Sequence, residues 1–153
     1  MSLLERIQGD VKDAMRERDT GRATSLRMLV AALQGEAKSK LRDLSEGEEI
    51  AVLSRERKKC TEAAEAFEGG GASDRAAAER VQIEMIESYL PEQMSDGEVE
   101  QLVRDAIAAT GADSPKQMGL VMKELMPKTQ GRVDGKVLSG IVQKLLSGAG
   151  ASA

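Results

Sequence analysis

Six residues between positions 116 and 136 have the types and spacing to hold an anion. Lys116, Gly119 and Lys123 are three and four residues apart, so on a helix they share one face, with two cations around a position that has no side chain. Lys136, Gly140 and Lys144 repeat the arrangement at four-residue spacing. A phosphate backbone can come close to either glycine while a lysine on each side meets its charge. The competing reading is that both glycines let helices pack. Lys128 and Arg132 lie between the two faces, Arg132 in a loop bracketed by Gly131 and Gly135, and Asp134 is placed to cap the following helix. The candidate nucleic-acid-binding set is therefore Lys116, Gly119, Lys123, Lys128, Arg132 and Lys136.

Reactive chemistry has fewer candidates. The chain contains no histidine, which removes the commonest general base and metal ligand and excludes Cys-His and Ser-His nucleophile systems. Cys60 has Lys58 and Lys59 beside it to favour a thiolate, but it falls on an apolar seam with Leu53 and Phe67, where cysteine acts as a small hydrophobe. Glu46, Glu48, Glu49, Glu62 and Glu65 fall at helix starts or on polar faces, which suits solvated carboxylates better than metal ligands. Gly69-Gly70-Gly71 lacks the Lys-Ser/Thr of a phosphate loop and reads as a flexible turn. No catalytic residue, metal or cofactor is assigned from the sequence.

Charge is distributed unevenly. The whole chain of 153 residues carries a formal charge of −4. Positions 91–110 hold one basic residue against five acidic ones, whereas positions 111–146 hold six basic residues against three acidic ones. Part of this chain is thus electropositive although the total is acidic. Aromatic residues make up 1% of it, Phe67 and Tyr89 only, so there is no platform on which bases could stack, and an RNA partner would be held by shape and phosphate. The start of the sequence shows neither a basic leader nor an apolar run, no stretch of about 18 apolar residues occurs, and one cysteine cannot form an internal disulfide. The expected setting is cytoplasmic, without a membrane partner.

The elements that must position these residues are all helical. Ser2-Leu-Leu-Glu5 and Ser45-Glu-Gly-Glu48 have capping-box spacing and open helices near residues 3 and 46. Ser95-Asp-Gly-Glu98 and Ser114-Pro-Lys-Gln117 repeat it for two more. Apolar positions recur at three and four residues, with Leu3, Leu4, Ile7, Val11, Ala14 and Met15 on the first helix. The second, over about residues 22–41, has Leu26, Leu29, Val30, Leu33, Ala37 and Leu41 inward. On the fourth, Ala77, Val81, Met85, Ile86 and Tyr89 are the inward set. Pro91 ends that helix, and Pro127 is expected to end the helix carrying Met118, Val121, Met122, Leu125 and Met126. The last helix, over about residues 136–147, has Val137, Leu138, Ile141, Val142, Leu145 and Leu146 inward. No segment alternates with a two-residue period, so no strand is expected. The predicted fold is all-α: an N-terminal antiparallel four-helix bundle over residues 1–90, a compact three-helix C-terminal domain over 95–148, and a disordered tail over 149–153.

The combination of Ser2-Leu-Leu-Glu-Arg6, Arg27-Met-Leu, Val52-Leu-Ser-Arg-Glu, Tyr89-Leu-Pro-Glu-Gln-Met-Ser95, Met118-Gly-Leu-Val-Met122 and Gly131-Arg-Val-Asp-Gly135 resembles the bacterial YqeY family, to about Leu146. The C-terminal part is similar to the tail domain of GatB, a subunit of the amidotransferase that amidates Glu-tRNA(Gln) or Asp-tRNA(Asn). The resemblance implies a free-standing tail-like protein that contacts tRNA or other structured RNA, conventionally grouped with carbon–nitrogen ligases using glutamine as amide donor. Amidotransferase subunits or an aminoacyl-tRNA synthetase are the protein partners it implies. Leu120 stands where the family commonly has a basic residue, and Cys60 where an arginine is common. No amidase-type Ser-Ser-Lys constellation or ATP site is identifiable. Three readings follow: an RNA-binding accessory without its own active site, amidotransfer within an assembly, and a protein-interaction module receiving a helix on the Met118, Met122 and Met126 stripe.

Overall fold

In the computed structural model residues 1–151 are described, with side chains to residue 148. The elements are α1 (Leu3–Arg16), α2 (Thr20–Lys40), α3 (Glu46–Gly69), α4 (Ser73–Glu87), α5 (Asp96–Thr110), a single 3-10 turn (Pro115–Gln117), α6 (Met118–Thr129) and α7 (Gly135–Ala151), and the described residues contain no strand. The all-α expectation therefore holds. The chain divides into two compact units, Met1–Pro91 and Glu92–Ala153.

Helix starts in the first unit are set by short-range hydrogen bonds. The Ser2 hydroxyl accepts from the Glu5 amide at 3.1 Å while the Glu5 carboxylate accepts from the Ser2 amide at 3.0 Å. Ser45 and Glu48 repeat the reciprocal pair at 3.2 and 2.8 Å. Glu48 also takes two hydrogen bonds from the Arg42 guanidinium, which first among several contacts holds its carboxyl well below the usual carboxylate range. A longer-range cap completes α1. Glu49, 4% exposed on α3, accepts from the Leu3 and Leu4 amides at 3.2 and 2.8 Å, so a carboxylate faces the positive end of the α1 dipole.

In this unit α1 packs on α2, α3 on α4, and the two hairpins meet through α2 and α3. The shared core includes Ile7, Leu26, Leu29, Leu33, Leu53 and Ile86, each contributing about 1.5–3 kcal/mol by leaving water. Tyr89 fastens the turn after α4 to α1: its phenol donates to the Asp10 carboxylate, and the Arg6 guanidinium lies 5.0 Å from its ring centre. Burial first, and then the Asp10 charge, raise the phenol's pKa above its ordinary value, so at neutral pH it stays a donor.

Four apolar assignments in this unit are corrected. Met15 and Leu41 are exposed rather than inward, Leu41 because it is the left-handed cap of α2 at φ 57° and donates to the Ala37 and Lys38 carbonyls. On α4 the inward stripe runs through Ala76 and Ile86, while Ala77 and Val81 face water. Glu87 on that helix reaches Arg57 of α3 at 2.7 Å, which explains a cation within the α3 seam.

The second unit is a three-helix arrangement in which α5, α6 and α7 pack pairwise around Val99, Val103, Val121, Leu125, Leu138, Val142 and Leu146. Ser95 caps α5 through the Glu98 amide at 3.2 Å, but the Glu98 carboxylate accepts from the Ser95 hydroxyl, so this cap is half of a box. At the 3-10 turn no box forms. The Gln117 side chain accepts instead from the Asp113 amide at 2.7 Å, because a turn of three residues sets it against a donor further upstream.

Pro127 does not stop α6, which continues to Thr129. The ring removes the amide that would have bonded the Lys123 carbonyl, and both residues lie on the exposed side, so no buried group is left without a partner. The Thr129 hydroxyl and the Gln130 amide then close the last turn on the Leu125 and Met126 carbonyls at 3.0 and 3.2 Å. Met126 and Val137 are exposed rather than inward. Helix α7 runs to Ala151, and the tail expected over 149–153 falls where side chains beyond residue 148, and residues 152–153 altogether, lie outside the described residues.

Candidate nucleic-acid interface

Lys116 is presented by the 3-10 turn, while Gly119 and Lys123 sit on the outward side of α6; all three are exposed. Burial of Val121, Leu125 and Thr129 on the opposite side of α6 fixes this orientation. Added to Gly119, a methyl group would meet no atom within 4 Å beyond its own helix backbone, and the same is true at Gly140 of α7. The helix-packing explanation for these glycines therefore has no support in the described residues. Lys136 and Lys144 are exposed on α7, on either side of Gly140. Among the described residues no carboxylate lies within ion-pair distance of Lys116, Lys123, Lys136 or Lys144.

The other two cations of the set are already engaged. Lys128 pairs with Glu124 at 3.3 Å, one helical turn back. Arg132 donates from Nε to the Glu92 carbonyl at 2.9 Å, and its Nη2 lies 4.0 Å from Glu98. That contact helps to join the loop after α6 to the segment before α5. The Gln93 side-chain amide donates to the Gly131 carbonyl at 2.7 Å, and the Met94 amide to the Arg132 carbonyl at 2.9 Å. Gly131 makes the loop possible with φ 76°, a conformation that favours glycine. Asp134 then caps α7, accepting from the Lys136 amide at 2.7 Å.

Sequence reasoning missed two features of this region. One is the tie from Gln93 and Glu92 to the loop, a contact across about 40 positions for which periodicity carries no signal. The other is that Leu120, Met126 and Val137, each a little over half exposed, accompany the lysines on the outward sides of α6 and α7. Leu120 falls one residue out of phase with Val121 and Leu125, and that offset was the readable clue.

The remaining chemical candidates have structural roles. Cys60 is a free thiol packed against the first unit's core, and its pKa is raised to about 11, chiefly by burial and next by the Glu79 carboxylate. The nucleophile reading is disfavoured. At pH 8 native Cys60 should react with iodoacetamide about 100-fold more slowly than the unfolded chain does, because its thiolate fraction is lower by that factor. Equal rates in native and denatured protein, followed by mass spectrometry, would contradict it. Glu48 and Glu49 are occupied as caps, and no group of three or more metal-ligating side chains occurs among the described residues. No described helix is long and apolar enough to cross a membrane.

Comparison with known proteins returns a family and a fungal relative. The relative is the Altered inheritance of mitochondria protein 41, mitochondrial, of Pyrenophora tritici-repentis (strain Pt-1C-BFP), 22% identical over 147 residues that cover 94% of this chain and 81% of that protein. The sequence model of the Yqey-like protein family matches residues 4–146, a span that runs from α1 into α7 and takes in the 3-10 turn, the glycine-centred lysine faces and the tied loop. By that match the chain belongs to the YqeY family of Yqey-like proteins.

Proposed function

We propose that this chain binds structured RNA, tRNA foremost, as an accessory module that grips its ligand through phosphates. The observation carrying this reading is the set of unpaired lysines, Lys116, Lys123, Lys136 and Lys144, beside two helical glycines that nothing packs against. A glycine inside a helix costs about 1 kcal/mol relative to alanine, and at these positions no intramolecular contact offsets it. Close approach by a ligand backbone would. The likeness of the C-terminal part to the tRNA-contacting tail of GatB supports tRNA as the class. On this reading glutamine-dependent carbon–nitrogen ligation is the work of partner subunits, and the setting is a reducing compartment such as the cytoplasm, consistent with the free Cys60 thiol.

A mobility-shift titration with total tRNA against random single-stranded RNA, repeated over a salt series, tests it. Binding should prefer tRNA and weaken steeply with salt. Gly119→Ala gives a second readout: it should leave the chain at least as stable while weakening tRNA binding, since the methyl group blocks approach and fills no void. A gain in stability with affinity unchanged would refute the role given to Gly119.

A protein-interaction role competes at the same place, because Leu120, Met126 and Val137 are exposed beside the lysines. Capture of a protein partner that survives nuclease treatment, together with absence of tRNA binding, would favour it.

A further inference from the structure

The first unit carries a second surface, on the side of the α1–α2 hairpin turned away from the core. Gln8, Val11, Lys12 and Met15 share one face of α1, and Arg27, Val30, Ala31 and Gln34 share one face of α2, each set at three- and four-residue spacing. Between the two ridges lies a groove of about 350 Å³ lined by Gln8, Val11, Lys12, Arg27 and Val30. Val11 and Val30 pack on the core from outside and are partly buried on its floor, and Met15 at its end is 54% exposed. Two antiparallel helices presenting parallel ridges with an apolar furrow between them can receive a third helix.

Charge specifies the kind of helix. Among the described residues of this unit Arg6, Lys12, Arg18, Arg27, Lys38, Lys58 and Arg75 reach no carboxylate, and of these Lys12 and Arg27 are the two that line the groove. Arg27 rests instead on the Met15 sulfur at 3.1 Å, a soft contact that a methionine can give up by changing rotamer. One unpaired cation thus stands on each wall of an apolar furrow. The geometry points to a docking site for an acidic amphipathic helix of a partner protein, its apolar residues on Val11, Val30 and Met15 and its carboxylates on Lys12 and Arg27. A nucleic acid is the poorer match, because two cations over a valine floor offer neither a phosphate track nor a stacking surface. The groove is built from the first unit's residues alone, whereas the lysines of α6 and α7 belong to the second unit.

The test uses the full chain and two synthetic amphipathic peptides of about 18 residues, long enough for helix when bound. Both carry leucines at three- and four-residue spacing; one has glutamates on its flanks, the other lysines. Amide shifts in nitrogen-labelled protein should move along residues 8–15 and 27–34 with the acidic peptide only, with a Kd on the order of 100 μM. Lys12→Glu with Arg27→Glu should weaken this binding about tenfold or more, and Val30→Asp should weaken it similarly. Unchanged circular dichroism would establish that these variants fold. Four results would overturn the proposal: no shift with the acidic peptide, equal shifts with both peptides, affinity unaffected by the charge reversals, or tRNA moving the same amides. A fall from dimer to monomer in Lys12→Glu/Arg27→Glu would also overturn it, by assigning the groove to a second copy of this chain.

Discussion

Reversing Lys123 and Lys136 together to glutamate should lower tRNA affinity about 100-fold at low salt, roughly tenfold for each phosphate contact replaced by a repulsion. It should also flatten the dependence of log affinity on log salt by about 2, one for each lost contact. Both side chains are exposed and neither has a carboxylate partner among the described residues, so the double variant should fold as the parent does. Lys128→Glu is the informative control. Lys128 already shares its charge with Glu124 at 3.3 Å, so its reversal should cost less binding than that of Lys123. Arg132→Glu is a poor choice, since it would break the Nε bond to the Glu92 carbonyl and mix loop disruption with lost charge. Fluorescence anisotropy with labelled tRNA over a sodium chloride series measures both quantities. Equal affinity and equal salt slope for parent and double variant would remove the site.

Glu49→Ala should destabilise the chain by about 3 kcal/mol, because it strips two charge-assisted hydrogen bonds from a helix start and leaves the Leu3 and Leu4 amides without their acceptor. Glu49→Gln keeps one oxygen acceptor and loses the charge, so a cost of about half that is expected. The accounting at this terminus is unusually full: Ser2 takes the Glu5 and Arg6 amides, and Glu49 takes the two before them. Urea denaturation of parent and variants gives the free energies, and hydrogen exchange should show protection lost first in α1. An alanine variant within about 0.5 kcal/mol of the parent would mean that water replaces the carboxylate without penalty.

What the sequence disclosed here was local. Capping boxes at Ser2 and Ser45 and the Asp134 cap were all readable, because each depends on residues at most four positions apart. The cap by Glu49 was not, since it joins positions 45 and 46 residues apart and a glutamate in the first turn of α3 already has a sufficient local reason. The inward set drawn for α4 was right at Met85, Ile86 and Tyr89 and wrong at Ala77 and Val81: Ala76, Ala77 and Ala78 give no hydrophobic contrast, so only packing on α3 decides which faces inward. Pro127 was read as a stop because the rule for proline ignores which side of the helix loses the amide. At the candidate interface Lys116, Gly119 and Lys123 are all exposed, but only Gly119 and Lys123 lie on α6, because the helix begins at Met118 and Lys116 stands on the preceding 3-10 turn. That Lys128 and Arg132 have partners depended on Glu124 and on the Glu92 carbonyl, the second of which no pattern announces.

The loop between α6 and α7 has a thermodynamic corollary. Its backbone is pinned at the Gly131 and Arg132 carbonyls by Gln93 and Met94, so its dihedral freedom is already surrendered when the chain folds. A ligand arriving there would immobilise lysine side chains and little main chain, which at about 1–2 kcal/mol per ordered backbone residue is a considerable saving. Association should then be rapid and close to rigid-body, with a small heat-capacity change and dissociation governed by ionic strength.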